Sequence, residues 1–424
     1  MEDAAISFCL LLLALWWYIS RENNQRLEAA RKNTAEKRRR VVDAINYEQE
    51  EKRRRRNINK RRKRMLLHFE RQPQRPSVWS FDRATQWWDI TVSGFTNAQW
   101  LQNFRMSDET FTFLCSKLRP AMERQNSTFR DCVPLRKRVA IALWKLATGS
   151  EYRSIGHLFG VSITTVCRCV QDFCASAATL LVPEQICFPD PERFKNMSTF
   201  IDNRWGLPQC VGAVDGSHIP IIAPQEYHTD YFNRKGWHSI NLQGVVDGKG
   251  LFWHVFAGMP GSMHDARVLR LSSLWELASQ GMLFPDHTRE VSGVMTGYYI
   301  LGDSAYPLQK WLLKPYSDTG RLTADQQLYN KKFSRARVVV ENAFGRLKGR
   351  WRCLLKRNDS DLELVKSMVL ACCALHNLCE SHGETYDSAW TEPAVPVVGT
   401  AAQGAEDEGR HVRDAVMRHF LSHS

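Results

Sequence analysis

None of the 12 cysteines in this 424-residue chain belongs to a Cys-x-x-Cys pair. That spacing supplies ligands to most structural zinc sites and the dithiol of redox motifs, so both classes lack their usual signature. Cys167 and Cys169 stand too close together for a metal knuckle, and most of the others lie in apolar stretches. Such usage suits buried thiols in a reducing compartment. Cys372, His376 and Cys379 share one helical face by spacing, as a zinc site would need. They sit inside the apolar run Val369–Cys379, however, where core packing is the simpler reading. The features expected of a secretory leader are lacking as well. The apolar stretch Ala4–Ile19 is preceded by Glu2 and Asp3 rather than by basic residues, and it has no small-residue cleavage site. It is slightly short for a membrane span and runs into a basic flank. It reads as a packed or partner-binding helix, with a membrane anchor as the alternative.

Net charge is lacking over most of the chain. Between Arg21 and Arg64 stand 18 basic and 7 acidic residues, which supplies all but two of the net +13. A segment this basic contacts polyanions or directs nuclear import, unless it is only a solvated helix. Lys37–Arg40, Lys52–Arg56 and Lys60–Arg64 resemble nuclear-localisation runs, so the expected location is the nucleus with a cytoplasmic pool. Pro73 and Pro76 close this arm. Length and a 43% hydrophobic content allow two to three domains with a sizeable core. The expected plan is an apolar N-terminal helix over 1–20, a basic arm over 21–75, a helical domain over 76–185, an α/β domain over 186–385 and a flexible acidic tail over 386–424. A short helix could form at Val412–Leu421 within that tail.

In the helical stretch, Ser107 is placed to cap a helix and Leu135–Ala147 is amphipathic. The segment Tyr152–Arg168 reads as a short helix ending at Gly160, a turn, and a second helix capped by Ser162. Ile163, Val166, Cys167, Val170 and Phe173 fall on one face of that second helix. Thr164, Thr165, Arg168 and Gln171 are left pointing outward. This is a helix-turn-helix pattern, and those four residues would meet DNA; the plain alternative is a helical hairpin with a polar outer face.

Beyond about Phe188 strands and helices alternate. Cys210–Ile222, Ser239–Val246, Leu251–Ala257 and Tyr299–Leu301 read as strands, with Asp247–Gly250 as a hairpin turn. Ala266–Gln280 and Arg335–Arg350 read as helices, and the order suits an α/β fold with an open mixed sheet and flanking helices. Three acids stand out in this part. Asp215 lies within the first strand, Asp303 closes the fourth, and Glu341 sits on the last helix. A carboxylate at the end of a buried strand is costly unless a cation neutralises it. Phosphodiester hydrolysis by metal needs two hard cations about 4 Å apart held by carboxylates, which suits Mg²⁺ or Mn²⁺. Asp215 is the candidate bridging ligand, and Asp303 and Glu341 would each complete one metal. Arg337, Lys348 and Arg352 lie four, seven and eleven residues from Glu341 and share its helical face, where they could hold a phosphate or form an ion-pair stripe. Asn233, Arg234 and Lys235 could grip a DNA backbone, or could form an ordinary basic loop. Asp247 reads as turn chemistry, and Asp265 as a helix cap or a support acting through His264.

Five motifs then stand in order: Val214–His218, Asn233–Ser239, Pro260–Asp265, Leu301–Tyr306 and Val340–Lys348. Together they resemble the PIF/Harbinger transposases, including their host-adopted nuclease members, over roughly Gln99 to Glu380. The resemblance implies an RNase H-like fold with a DDE triad, carried here by Asp215, Asp303 and Glu341. It also implies a divalent metal, DNA cleavage at element ends and strand transfer by the freed 3′-hydroxyl. Family members commonly work with a separately encoded Myb/SANT-like DNA-binding protein. The expected partners are therefore DNA, such a protein and a second copy of the chain; a membrane enters only through residues 4–19. The alternative function is a non-catalytic DNA- or chromatin-binding protein derived from a transposase.

Overall fold

The computed structural model describes residues 86–126, 131–318, 320–391 and 407–422. The apolar leader and the basic arm lie outside the described residues.

Polar caps start the helices of the first part. α1 (Asn97–Phe104) opens on Thr96, whose hydroxyl accepts from the Gln99 N–H while the Gln99 side chain reaches back. α2 (Asp108–Met122) opens on Ser107. α3 (Leu135–Thr148) follows, buried along most of its length. α4 (Tyr152–Phe159) ends at Gly160, whose φ of +63° is the left-handed conformation that lets the chain turn. Ser162 then caps α5 (Ile163–Gln185), which passes through a π-helical turn at Ala177–Leu181. The inward face of α5 is Val166, Cys169, Val170, Phe173 and Cys174. Ile163, expected on that face, is 48% exposed and lies outside the buried set.

α6 (Pro191–Trp205) leads into the sheet strand β1 (Cys210–Pro220). β2 (Ser239–Val246) and β3 (Phe252–Pro260) form a hairpin whose turn is held by Asp247: its Oδ1 accepts the N–H groups of Lys249 and Leu251. The single helix expected over 266–280 is two, α7 (Asp265–Leu271) and α8 (Ser273–Ser279), broken where Ser272 takes an extended conformation. A small hairpin of β4 (Arg289–Val291) and β5 (Val294–Thr296) precedes β6 (Tyr299–Leu301) and the two-residue β7 (Leu312–Leu313). The chain closes with α9 (Ala324–Arg350), α10 (Leu362–Ser381) and α11 (Asp407–Ser422).

The main sheet has the order β3-β2-β1-β6-β7. β1 pairs antiparallel with β2 and parallel with β6, and β6 pairs parallel with β7. β1 and β6 are apolar because central strands of a mixed sheet are covered on both faces. Val340, Phe344 and Leu347 of α9 are buried, and the Phe344 ring lies 5.4 Å from that of Phe252 on β3. This is an α/β fold with flanking helices, as the sequence pattern predicts.

One continuous apolar core runs from Phe104 and Trp100 of the helical part through β1 and β2 to α9, α10 and Phe420. The Arg350 side chain, fully buried, donates to the Arg105 carbonyl at 2.7 Å, and Glu384 accepts from the Ser107 N–H at 3.0 Å. The helical stretch is thus welded to the α/β part rather than joined by a linker. The expected flexible tail is also partly ordered: α11 buries Val412, Ala415, Val416 and Phe420, and its Asp414 accepts from the Tyr316 hydroxyl at 2.5 Å.

Candidate active site

Asp215 sits in the middle of β1, where the buried run Cys210–Val214 gives way to the half-exposed residues Asp215–His218. Its Oδ1 accepts the N–H of Gly216 at 2.8 Å. Asp303 lies just past the carboxyl end of β6, the parallel neighbour of β1, and its Oδ1 accepts the Ala305 N–H at 2.9 Å. Glu341 is carried by α9 beside the sheet. Arg337, one turn earlier, lies between the two elements: it pairs with Asp215 Oδ2 at 3.4 Å and makes a close ion pair with Glu341. The register of β1 against β6 and the packing of α9 therefore bring residues 126 positions apart in sequence onto one guanidinium.

A fourth carboxylate joins them. Asp265, at the start of α7, lies against Gly216; a Cβ built there would fall 2.2 Å from Asp265 Oδ1. Only glycine leaves room for that approach. Burial pushes the Asp215 carboxyl up to about 7, with Asp303 and Asp265 adding to the rise and Arg337 opposing it. Burial and Asp303 push Asp265 up to about 6. Tyr306, fully buried beneath them, has its hydroxyl held well above its usual range by burial and by Asp265, Asp215 and Asp303. The Asp265 signal was present in the sequence as Pro260–Asp265 but was outweighed there by its capping position.

These groups fit a hard divalent cation chemically: the donors are carboxylate oxygens, and Arg337 already supplies a positive charge between Asp215 and Glu341. No three His, Cys, Asp or Glu side chains among the described residues are gathered into a ready ligand shell. The zinc alternative at Cys372, His376 and Cys379 does not assemble either. His376 Nε2 is directed at the Gly250 carbonyl, and the Cys372 sulfur lies 3.8 Å from that of Cys353.

The expected nucleic-acid residues fall into three groups. Thr164, Arg168 and Gln171 are exposed on α5, and the Thr165 hydroxyl lies 2.8 Å from that of Ser162 within the cap. Arg234 and Lys235 are exposed near the acids, and Arg234 opposes the rise at Asp265. Asn233 instead is 3% exposed, and its amide donates to Ser239 Oγ and accepts from the N–H groups of Lys235 and Trp237. It organises the loop that presents its neighbours. Lys348 donates to the His218 carbonyl at 2.8 Å, alongside β1. Arg352 does not share the Glu341 face: α9 ends at Arg350, and Arg352 lies in a 3₁₀ turn beyond it, where its charge acts on Arg105. The eleven-residue spacing assumed a helix longer than the one present.

One aspartate within β1, another just past its parallel neighbour β6 and a glutamate on a covering helix define an α/β protein with a carboxylate cluster at the sheet. Residues 214–377, which contain all three acids, match the family described as DDE superfamily endonuclease. The chain is 28% identical over 359 residues to Antagonist of like heterochromatin protein 1 of Arabidopsis thaliana, covering 79% of this chain and 89% of that one. It is 30% identical over 306 residues to HARBI1 of Bos taurus, named as an inferred nuclease, covering 71% and 81%. The human HARBI1 is 31% identical over 281 residues, covering 65% and 74%. No solved structure gives a significant match. The chain belongs to the family of Harbinger transposase-derived proteins within the DDE endonuclease superfamily.

Proposed function

We propose that this chain is a divalent-metal-dependent DNA endonuclease of the DDE type, with Asp215, Asp303 and Glu341 as its acids. The observation that carries this reading is the convergence of Asp215 and Glu341 on Arg337, with Asp303 close enough to raise the Asp215 carboxyl. The strand order, three antiparallel strands followed by two parallel to the first, supports reading the sheet as RNase H-like. A bound pair of Mg²⁺ or Mn²⁺ ions would activate water and stabilise the leaving oxygen. The protein's own part is positional. Asp215, Asp303 and Glu341 would hold the cations, Arg234, Lys235 and Arg337 would fix the phosphate, and α5 would contact DNA through Thr164, Arg168 and Gln171 as the second helix of a helix-turn-helix. Nuclear import through Lys52–Arg64, a Myb/SANT-like partner, self-association and the division into helical and nuclease domains belong to this proposal.

A second reading is a host-adopted chromatin protein that no longer cuts. Arg337 favours it, since its guanidinium already occupies the space between two of the acids. The name of the plant relative, an antagonist of a heterochromatin protein, points the same way for that protein. Purified full-length protein incubated with supercoiled DNA separates the two. The nuclease reading expects nicking only with Mg²⁺ or Mn²⁺, lost in Asp215→Ala, Asp303→Ala and Glu341→Ala while each stays folded. Equal nicking by all four proteins, or none by any with the Myb-like partner present, sinks it.

A further inference from the structure

Behind α9, on the side away from the acids, is a cavity of about 510 Å³ rimmed by Arg204, Lys249, Arg335 and Arg346. Arg335, Asn342 and Arg346 line it from one stripe of α9, whereas Arg337, Glu341 and Lys348 form a stripe on the opposite side of the same helix. The helix thickness, about 10 Å, therefore separates this recess from the acid site.

Among the described residues, only Arg346 of the four cations is paired with a carboxylate, that of Glu380 at 2.6 Å. Arg204 stands 4.8 Å from the Trp205 ring and 5.9 Å from that of Phe200, and Lys249 stands 5.7 Å from Phe200. Contact with an aromatic face orients a cation without cancelling its charge. Arg204 and Arg335 thus reach the concavity with no carboxylate partner among the described residues, while the charge of Lys249 also acts on the nearby Asp247. An adjoining recess of about 440 Å³ shares Phe200, Gly248 and Lys249 and adds Arg193 together with the acids Glu184 and Asp247, so the cationic rim ends there.

The floor carries a different signal. His376 lines it and is 1% exposed. Its Nε2 lies 3.1 Å from the Gly250 carbonyl, which can only accept, so Nε2 bears the proton. Nδ1 is then a bare acceptor, and it has no hydrogen-bond partner among the described residues. That acceptor is itself covered, so the ligand is read from the rim: cations beside the half-buried rings of Phe200 and Trp205 suit anionic groups next to flat aromatic faces. Inorganic phosphate offers anionic oxygens and a P–OH donor, but no flat face to set against Phe200 or Trp205. A nucleotide chain supplies both, phosphates for the rim and base faces for Phe200 and Trp205.

We propose that this recess binds the backbone of a nucleic-acid segment separate from the one at the acid site. The proposal does not rest on cleavage. In full-length protein carrying Asp215→Ala, so that no strand is cut, acetylation of Lys249 is followed by mass spectrometry. An oligonucleotide should slow it severalfold, while inorganic phosphate and polyglutamate of matched charge should not. The exposed Arg204 and Arg335, changed together to alanine, should reduce the slope of log affinity against log salt by about two, the loss of two phosphate contacts. Unchanged acetylation with the oligonucleotide overturns the proposal. So does protection by phosphate or polyglutamate as strong as by the oligonucleotide, or a salt slope that stays the same in a folded double variant.

Discussion

Replacing Asp215 by asparagine should make the metal-free protein more stable while destroying the site. The carboxyl keeps 21% of its side-chain surface exposed, yet burial, Asp303 and Asp265 raise it from its ordinary 3.8 to about 7. A folded-state value above the unfolded one means that the folded chain binds this proton more tightly. The associated stability is complete below about pH 4 and is lost as pH rises toward 7. At roughly 1.4 kcal/mol per pH unit, the loss above pH 7 is on the order of 4 kcal/mol. Asparagine cannot ionise and escapes it; the pull of Arg337 is already contained in the net rise. Asp215→Asn should therefore exceed wild type by about 3–4 kcal/mol at pH 8, an increase in Tm of roughly 4–6 °C for a domain of this size. Thermal and urea unfolding in a chelator, at pH 4, 6 and 8, would measure the gap. It should close at pH 4, and Mg²⁺ or Mn²⁺ should narrow it at pH 8 by stabilising wild type only. A variant no more stable than wild type at pH 8, or a gap that persists at pH 4, would refute the reasoning.

Three other changes follow from the same geometry. Arg337→Ala removes the cation between Asp215 and Glu341, so chelated protein should lose about 1–3 kcal/mol at pH 8 and recover more of it on adding Mn²⁺ than wild type does; denaturant midpoints with and without Mn²⁺ check this. Gly216→Ala places a Cβ 2.2 Å from Asp265 Oδ1; the carboxylate must move, and isothermal titration should show weaker Mn²⁺ binding even where urea unfolding shows a cost of only about 1–3 kcal/mol. Phe420→Ala strips the ring that packs 5.9 Å from Tyr329 and is 2% exposed, so it should cost about 3–5 kcal/mol; a tail without structural work would show no change in urea unfolding.

The acids were legible because each interrupts a pattern: Asp215 and Asp303 break apolar strands, and Glu341 stands on a helix whose Val340, Phe344 and Leu347 declare its buried side. Turn and cap chemistry was equally local, so the Asp247 turn and the Ser107 and Ser162 caps fall where the sequence places them. Short elements were not legible. β4, β5 and β7 have two or three residues each, too few to establish a period of two. Asn233 lies in a run of polar donors, and nothing in its neighbours distinguishes an amide that organises the loop from one that faces DNA.

The chain by itself determined which segments become helix and strand, because periodicity and capping act over a few residues. It also determined that three carboxylates would need neutralising. Only the tertiary structure decided what does so. Arg337 reaches Asp215 across 122 positions, and Asp265 reaches Gly216 because the β2–β3 hairpin brings α7 back over β1. Strand register and helix docking bring such distant groups together, and no local preference encodes a distance between them.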